Sequence, residues 1–138
     1  MEKEFVPYEL ALRMKQLGFD EHCFRYIYTG DTGNNYDHYL MGESKNYNED
    51  MLCISQPLFQ QAFRWFREKY SLYTELHKKF DGIGASIILS EYRYDMIQEN
   101  KVEYHIPKYF GHKYKTYEEA ELASLDKLIE IVEEKNKV

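Results

Sequence analysis

Few side chains in this 138-residue sequence stand where chemistry could happen, and the most suggestive are Asp31, Thr32 and Gly33. Their letters match the aspartic-protease motif, in which two carboxylates share a proton inside an apolar site. Here Gly30 precedes the motif and Asn34-Asn35 follows it, all turn formers, so the segment reads as a polar hairpin tip. Cys23 and Cys53 would need a distant histidine to become nucleophiles, and they read better as small buried hydrophobes. The five histidines, His22, His38, His77, His105 and His112, never pair at a spacing that puts two imidazoles on one helix or strand face. No Cys-x-x-Cys, calcium loop, phosphate-cradling glycine loop or Gly-x-Ser-x-Gly elbow accompanies them. The expectation is therefore a protein without catalytic residues, metal or cofactor, and not an enzyme.

Binding chemistry is better represented. Lys108, Tyr109, Phe110, Gly111, His112, Lys113, Tyr114 and Lys115 follow one another without interruption. Three lysines to neutralise phosphates, three aromatic rings to stack and a hinge-like glycine could serve RNA or an acidic protein surface. Arg64, Arg67 and Lys69 could extend this patch from a neighbouring helix, and Lys78-Lys79 from a strand end. The plain alternative is a linker whose lysines snorkel to solvent.

Composition limits what such a patch can do. A net charge of −6 opposes non-specific adhesion to nucleic acid, so any phosphate contact must come from local clustering. The 14 tyrosines, with abundant Phe, Asn, Ile and Lys, follow the bias of AT-rich codons, which leaves a contact role for a few of them. Nothing approaches a membrane-spanning apolar run, and the Met1-Glu2-Lys3-Glu4 start has neither the basic nor the apolar region of a secretory signal. A cytoplasmic protein with two free thiols is expected, as one domain over residues 1–138 and a monomer or weak dimer.

The elements that would position these residues are legible in outline. Pro7 opens a helix carrying Leu10, Met14 and Leu17, and Gly18 with Phe19 closes it. Phe24 to Thr29 alternates as a strand, with Tyr36 to Met41 as its partner across a loop from Gly30 to Asn35. The polar run Gly42 to Asp50 reads as a flexible surface loop, followed by a short strand around Leu52 to Ile54. Pro57 opens a second helix with Phe59, Phe63, Phe66 and Tyr70 on one stripe and Leu58, Ala62 and Trp65 beside it. Tyr73 to His77, Ala85 to Tyr94 and Lys101 to Ile106 are strand candidates. Thr116 with Glu119 forms a capping box before the stripe Leu122, Leu125, Leu128, Ile129 and Val132. The order predicts an α+β fold: an antiparallel sheet with three helices packed on it, arranged as helix, two or three strands, helix, three strands, helix.

Three of these stretches carry a resemblance as well. Phe5 to Phe24 (FVPYELALRMKQLGFDEHCF), Gln61 to Leu72 (QAFRWFREKYSL) and Tyr117 to Val132 (YEEAELASLDKLIEIV) resemble, in order and wording, a family of small uncharacterised proteins met in Bacteroidetes genomes, phages and prophages. The resemblance implies an accessory factor of a mobile element and no activity. It makes an anti-CRISPR-like inhibitor of a host CRISPR effector the leading expectation, with the 108–115 segment on guide RNA or effector and the acidic last helix mimicking nucleic acid. From Pro57 onward the order also resembles a double-stranded-RNA-binding domain, and Ala120-Glu121-Leu122-Ala123 is loosely similar to that domain's last helix. Such domains start that helix with phosphate-straddling lysines, whereas Glu118, Glu119 and Glu121 stand here. A small RNA-binding module is accordingly the alternative.

Overall fold

Tyr8–Gln16 forms the first helix, α1, and both of its ends are set by local chemistry. Pro7 precedes it with an extended backbone, and its carbonyl accepts from the Ala11 N–H at 2.9 Å. At the other end Gly18 adopts φ 92°, which only glycine tolerates cheaply. The N–H groups of Gly18 and Phe19 then donate back to Lys15 and Met14, both at 3.0 Å, closing a Schellman turn. Phe19 folds under and is buried beside the buried Leu10, Ala11 and Met14 of the helix.

The computed structural model describes the backbone of residues 2–30, 38–94, 101–109 and 113–137, and the side chains of 3–30, 39–87 and 114–137. The remaining elements are β1 (Cys23–Tyr28), β2 (His38–Lys45), β3 (Cys53–Ser55), α2 (Phe59–Tyr70), β4 (Leu72–Lys79), β5 (Gly82–Tyr94), β6 (Lys101–Tyr109), β7 (Lys113–Tyr114) and α3 (Tyr117–Asn136). The α+β class, its antiparallel pairing and its three helices are present. The strands divide into two sheets where the sequence reading had one: β2-β1-β3, and β4-β5-β6 with β7 also paired to β5. Backbone contacts gather the chain into two compact units, Met1–Ala62 with Ile129–Val138, and Phe63–Leu128.

In the first unit β1 is the central strand, antiparallel to β2 and β3. Its alternation is the predicted one: Cys23, Arg25 and Ile27 are buried, while Phe24 is exposed and Tyr26 and Tyr28 are half-buried. Arg25 is only 7 % exposed, and its guanidinium lies 4.8 Å from the Phe5 ring and 5.1 Å from the Tyr39 ring. Two aromatic faces make that burial tolerable for a cation. The segment Gly42 to Asp50 is not a flexible loop. Gly42 to Lys45 continue β2, and Tyr47–Glu49 is a 3-10 turn with Tyr47 buried. Asn48 fixes that turn, donating to the Phe19 carbonyl at 2.9 Å and accepting from the Ser55 N–H at 2.8 Å. The solvent-facing edge strand and the turn are polar for ordinary surface reasons, and polarity alone imitates a loop.

The second unit is built on the β4–β5 hairpin, whose pairing runs unbroken from Leu72↔Leu89 to Lys79↔Gly82. Ile83, Ala85 and Ile87 of β5 are buried, as are Trp65 and Phe66 of α2 and Leu125 and Leu128 of α3. The expected α3 stripe is buried at Leu125, Leu128, Ile129 and Val132 and departs from expectation at its first position. Leu122 is exposed, and Ala120 and Ser124 are buried instead, in step with Leu125 and Leu128. The cap forms with its reciprocal half shifted by one residue: the Thr116 hydroxyl accepts from the Glu119 N–H, and the Glu119 carboxylate accepts from the Lys115 N–H, each at 3.2 Å.

Candidate functional site

Half of the basic aromatic segment is strand rather than linker. Lys108 and Tyr109 end β6, with Tyr109 opposite Ile87 of β5. Pairing to β5 resumes in β7, where Lys113 stands opposite Gly84 and Tyr114 opposite Ile83. Phe110, Gly111 and His112 lie outside the described residues, as do the side chains of Lys108, Tyr109 and Lys113. Tyr114 is half-buried and Lys115 exposed.

Register then brings a second basic segment to the same end of the sheet. Lys78 is also opposite Ile83 and His77 opposite Gly84, on the β4 side of β5. Two rows therefore cross three strands, Lys78–Ile83–Tyr114 and His77–Gly84–Lys113. With neighbouring strands about 4.8 Å apart, the outer backbones of each row are roughly 10 Å apart. Gly84 has a particular use here. A Cβ at that position would come within 2.6 Å of Lys79 Cε, so the bare backbone lets the Lys79 stem lie over the central strand. Between Lys79 and Gly82 the chain turns through Phe80 and Asp81, and the Phe80 side chain is completely exposed. A ring held in water at a hairpin tip between two lysines and an aspartate contributes nothing to the core.

Phe80 did not figure among the sequence candidates because the strands there were drawn too short, ending at His77 and resuming at Ala85. The signal was present in Lys78-Lys79-Phe80-Asp81-Gly82, an apolar residue inside an otherwise unambiguous turn. Arg64 and Arg67 are exposed on α2, three residues apart and so on one helical face. Lys69 is laid on its own helix, with Nζ 5.0 Å from the Trp65 ring and 5.8 Å from the Tyr70 ring. His77 is exposed, its Nε2 3.3 Å from a Glu75 carboxylate oxygen.

The catalytic candidates fare differently. Asp31, Thr32 and Gly33 lie outside the described residues. Cys23 and Cys53 are buried free thiols. Burial, with Glu21 nearby, pushes the Cys23 thiol up to about 12, against a smaller opposing effect of the Ser55 hydroxyl. Burial and the adjacent Asp50 raise Cys53 as well. Neither is a thiolate near neutral pH, and the thiolate is the nucleophilic form. Among the described residues no three His, Cys, Asp or Glu side chains gather as a metal site, and no helix is long and apolar enough to cross a membrane. On α3, burial and then Glu118 raise the Glu121 carboxyl, while Glu118, Asp126 and Glu134 are exposed.

No family model, curated protein or solved structure matches the chain.

Proposed function

We propose that the protein is a non-enzymatic binding protein that grips a nucleoprotein through the basic aromatic end of its four-stranded sheet. One observation supports this above the rest: β5 pairs on one side with the strand ending in Lys78-Lys79 and on the other with Lys113-Tyr114, while Phe80 projects from the tip between β4 and β5. Clustered ammonium groups neutralise phosphates, and an exposed ring gives an unpaired base a plane to stack on. The buried, protonated thiols leave covalent chemistry without a nucleophile of the cysteine class.

The resemblance to phage and prophage proteins directs the choice of partner towards a host defence ribonucleoprotein in the cytoplasm, a CRISPR effector first. Inhibition would follow if the sheet end covered guide RNA while the exposed acids of α3 occupied a basic channel by charge mimicry. The test is capture of the effector by tagged protein from a host carrying the system, with and without ribonuclease. A variant combining Lys78→Glu, Lys79→Glu, Lys115→Glu and Phe80→Ala should lose the effector while keeping its melting temperature, since all four side chains are exposed. Undiminished capture by that variant would sink the assignment of this surface.

A second reading, the small RNA-binding module, is favoured by one feature. Apart from the two-residue β7 that also pairs with β5, the order α2, β4, β5, β6, α3 with an antiparallel β4-β5-β6 sheet is similar to that of a double-stranded-RNA-binding domain. Bare RNA bound tightly at low salt and released steeply as salt rises, with no protein partner needed, would select it over the inhibitor.

A further inference from the structure

A cleft of ≈ 560 Å³, open to solvent, lies in the first unit and belongs to none of the surfaces above. Three tyrosines wall it. Tyr26 and Tyr28 project from one face of β1, and Tyr47 comes from the 3-10 turn to stack on Tyr26, with centroids 4.0 Å apart and planes 13° from parallel. Two glycines allow the rings to lie close against the backbone. A Cβ at Gly42 would come within 2.3 Å of the Tyr47 hydroxyl oxygen, and one at Gly30 within 2.3 Å of that of Tyr28. The Tyr47 hydroxyl is fixed further by donating to the Glu43 carbonyl at 2.7 Å.

Two carboxylates, Glu49 and Asp50, and one ammonium group, Lys45, line the cleft, and Glu49 has no partner among the described residues. Two lysines of the chain are already drawn there. Lys15 Nζ donates to the carbonyls of Asp50 at 2.8 Å and Cys53 at 2.6 Å, and Lys45 Nζ sits 4.9 Å from the centre of the Tyr47 ring. Tyr47 thus has Tyr26 stacked on it and a cation beside it, whereas no ring or cation of the described residues meets Tyr28. Among the described residues, a tyrosine ring that no other ring or cation meets and a carboxylate without a partner share one cleft, and they suit a flat cation with hydrogen-bond donors around its edge. Guanidinium meets that description better than ammonium, because it stacks on rings while its N–H fork reaches carboxylate oxygens.

We propose that this cleft is a recognition pocket for an arginine side chain of a protein partner, stacked on Tyr28 and paired with Glu49 and Asp50. The site is independent of the nucleic-acid reading and needs no contribution from the sheet end. The probe is the tripeptide Ac-Gly-Arg-Gly-NH2, titrated into the full chain and followed by 1H–15N shifts. Its citrulline counterpart, a neutral isostere, and inorganic phosphate serve as comparison ligands. Saturable shifts at Tyr28, Glu49 and Asp50 are expected with the arginine peptide at millimolar concentration and not with citrulline. Tyr28→Ala and Glu49→Gln should each weaken binding about three- to fivefold, with spectra otherwise unchanged as the check on folding. The proposal is overturned by equal binding of citrulline, by phosphate binding in its place, by wild-type affinity in both variants, or by no arginine binding at all.

Discussion

Replacing Gly42 by Ala tests the physical account of the tyrosine wall, because the position is demanding for a reason outside its own backbone. Gly42 has no left-handed φ, so alanine is acceptable to the strand, yet its Cβ would sit 2.3 Å from the Tyr47 hydroxyl oxygen and 3.4 Å from Tyr26 Cε1. Tyr47 is only 6 % exposed, and moving its ring disturbs three interactions. These are the stack on Tyr26, worth about 1 kcal/mol, the hydroxyl bond to the Glu43 carbonyl, about 1 kcal/mol, and the Lys45 cation over the ring, about 0.5 kcal/mol. Against this, alanine restricts the unfolded chain and returns about 0.5 kcal/mol, which leaves a net loss of about 2 kcal/mol. For a chain of this length that lowers the melting temperature by about 7 °C. The assay is urea unfolding of a double-mutant cycle with Tyr47→Ala. In the Tyr47→Ala background the same Gly42→Ala change should be neutral or stabilising by up to about 0.5 kcal/mol, giving a coupling of about 2 kcal/mol. An identical cost in both backgrounds would place the penalty in the β2 backbone and refute the argument that the glycine exists for the ring.

Two further outcomes follow from single groups. Ser71, between α2 and β4, holds φ 55° while its N–H donates to the Arg67 carbonyl, so Ser71→Gly should stabilise by about 0.5–1 kcal/mol in thermal unfolding; destabilisation would mean that the serine side chain contributes something larger. The second concerns pH. Cys23 is raised to about 12 when folded, so between about pH 9 and 12 the unfolded chain loses a proton that the folded chain keeps, and stability should fall by up to about 1.4 kcal/mol per pH unit. Cys23→Ala should flatten that decline in pH-dependent unfolding, and an unchanged slope would assign it to other groups.

What could be read from the sequence follows the range of the interactions involved. The α1 ending at Gly18 and Phe19 and the α3 start at Thr116 and Glu119 are closed by hydrogen bonds between residues at most five apart, and both were legible. The three long strands of the second unit were legible as elements from their β-branched and aromatic content, with bounds drawn short. The Gly42 to Asp50 segment was not, since Tyr47 and Asn48 are ordered by Phe19, Tyr26 and Ser55, which no local pattern connects to them. One position of the α3 stripe, Leu122, was misread for a similar reason, while Leu125, Leu128, Ile129 and Val132 are buried as expected. Leucine at 122 outweighs alanine at 120 and serine at 124 on any hydrophobicity count, and only the packed unit shows that small residues are wanted there.

The same distinction applies to charge. A net −6 over the whole chain predicts repulsion from phosphate, but salt screens charges over about 10 Å, so a bound strand feels the local arrangement far more than the total. Lys78 and Lys79 are more than thirty residues from Lys113 in sequence, and the sequence offers them only as a possible extension of the 108–115 patch. Strand register makes them neighbours: β5 contributes Ile83 and Gly84 as the centre of two rows whose ends are Lys78 and His77 on one side and Tyr114 and Lys113 on the other. Two of the sheet-end contributions depend on side chains that are small or absent from the core, Gly84 beneath Lys79 and the solvent-held ring of Phe80. A glycine that clears the path of a lysine and a phenylalanine kept out of the core both run against stability alone. That expenditure at one end of one sheet is the strongest physical reason to look for a partner there.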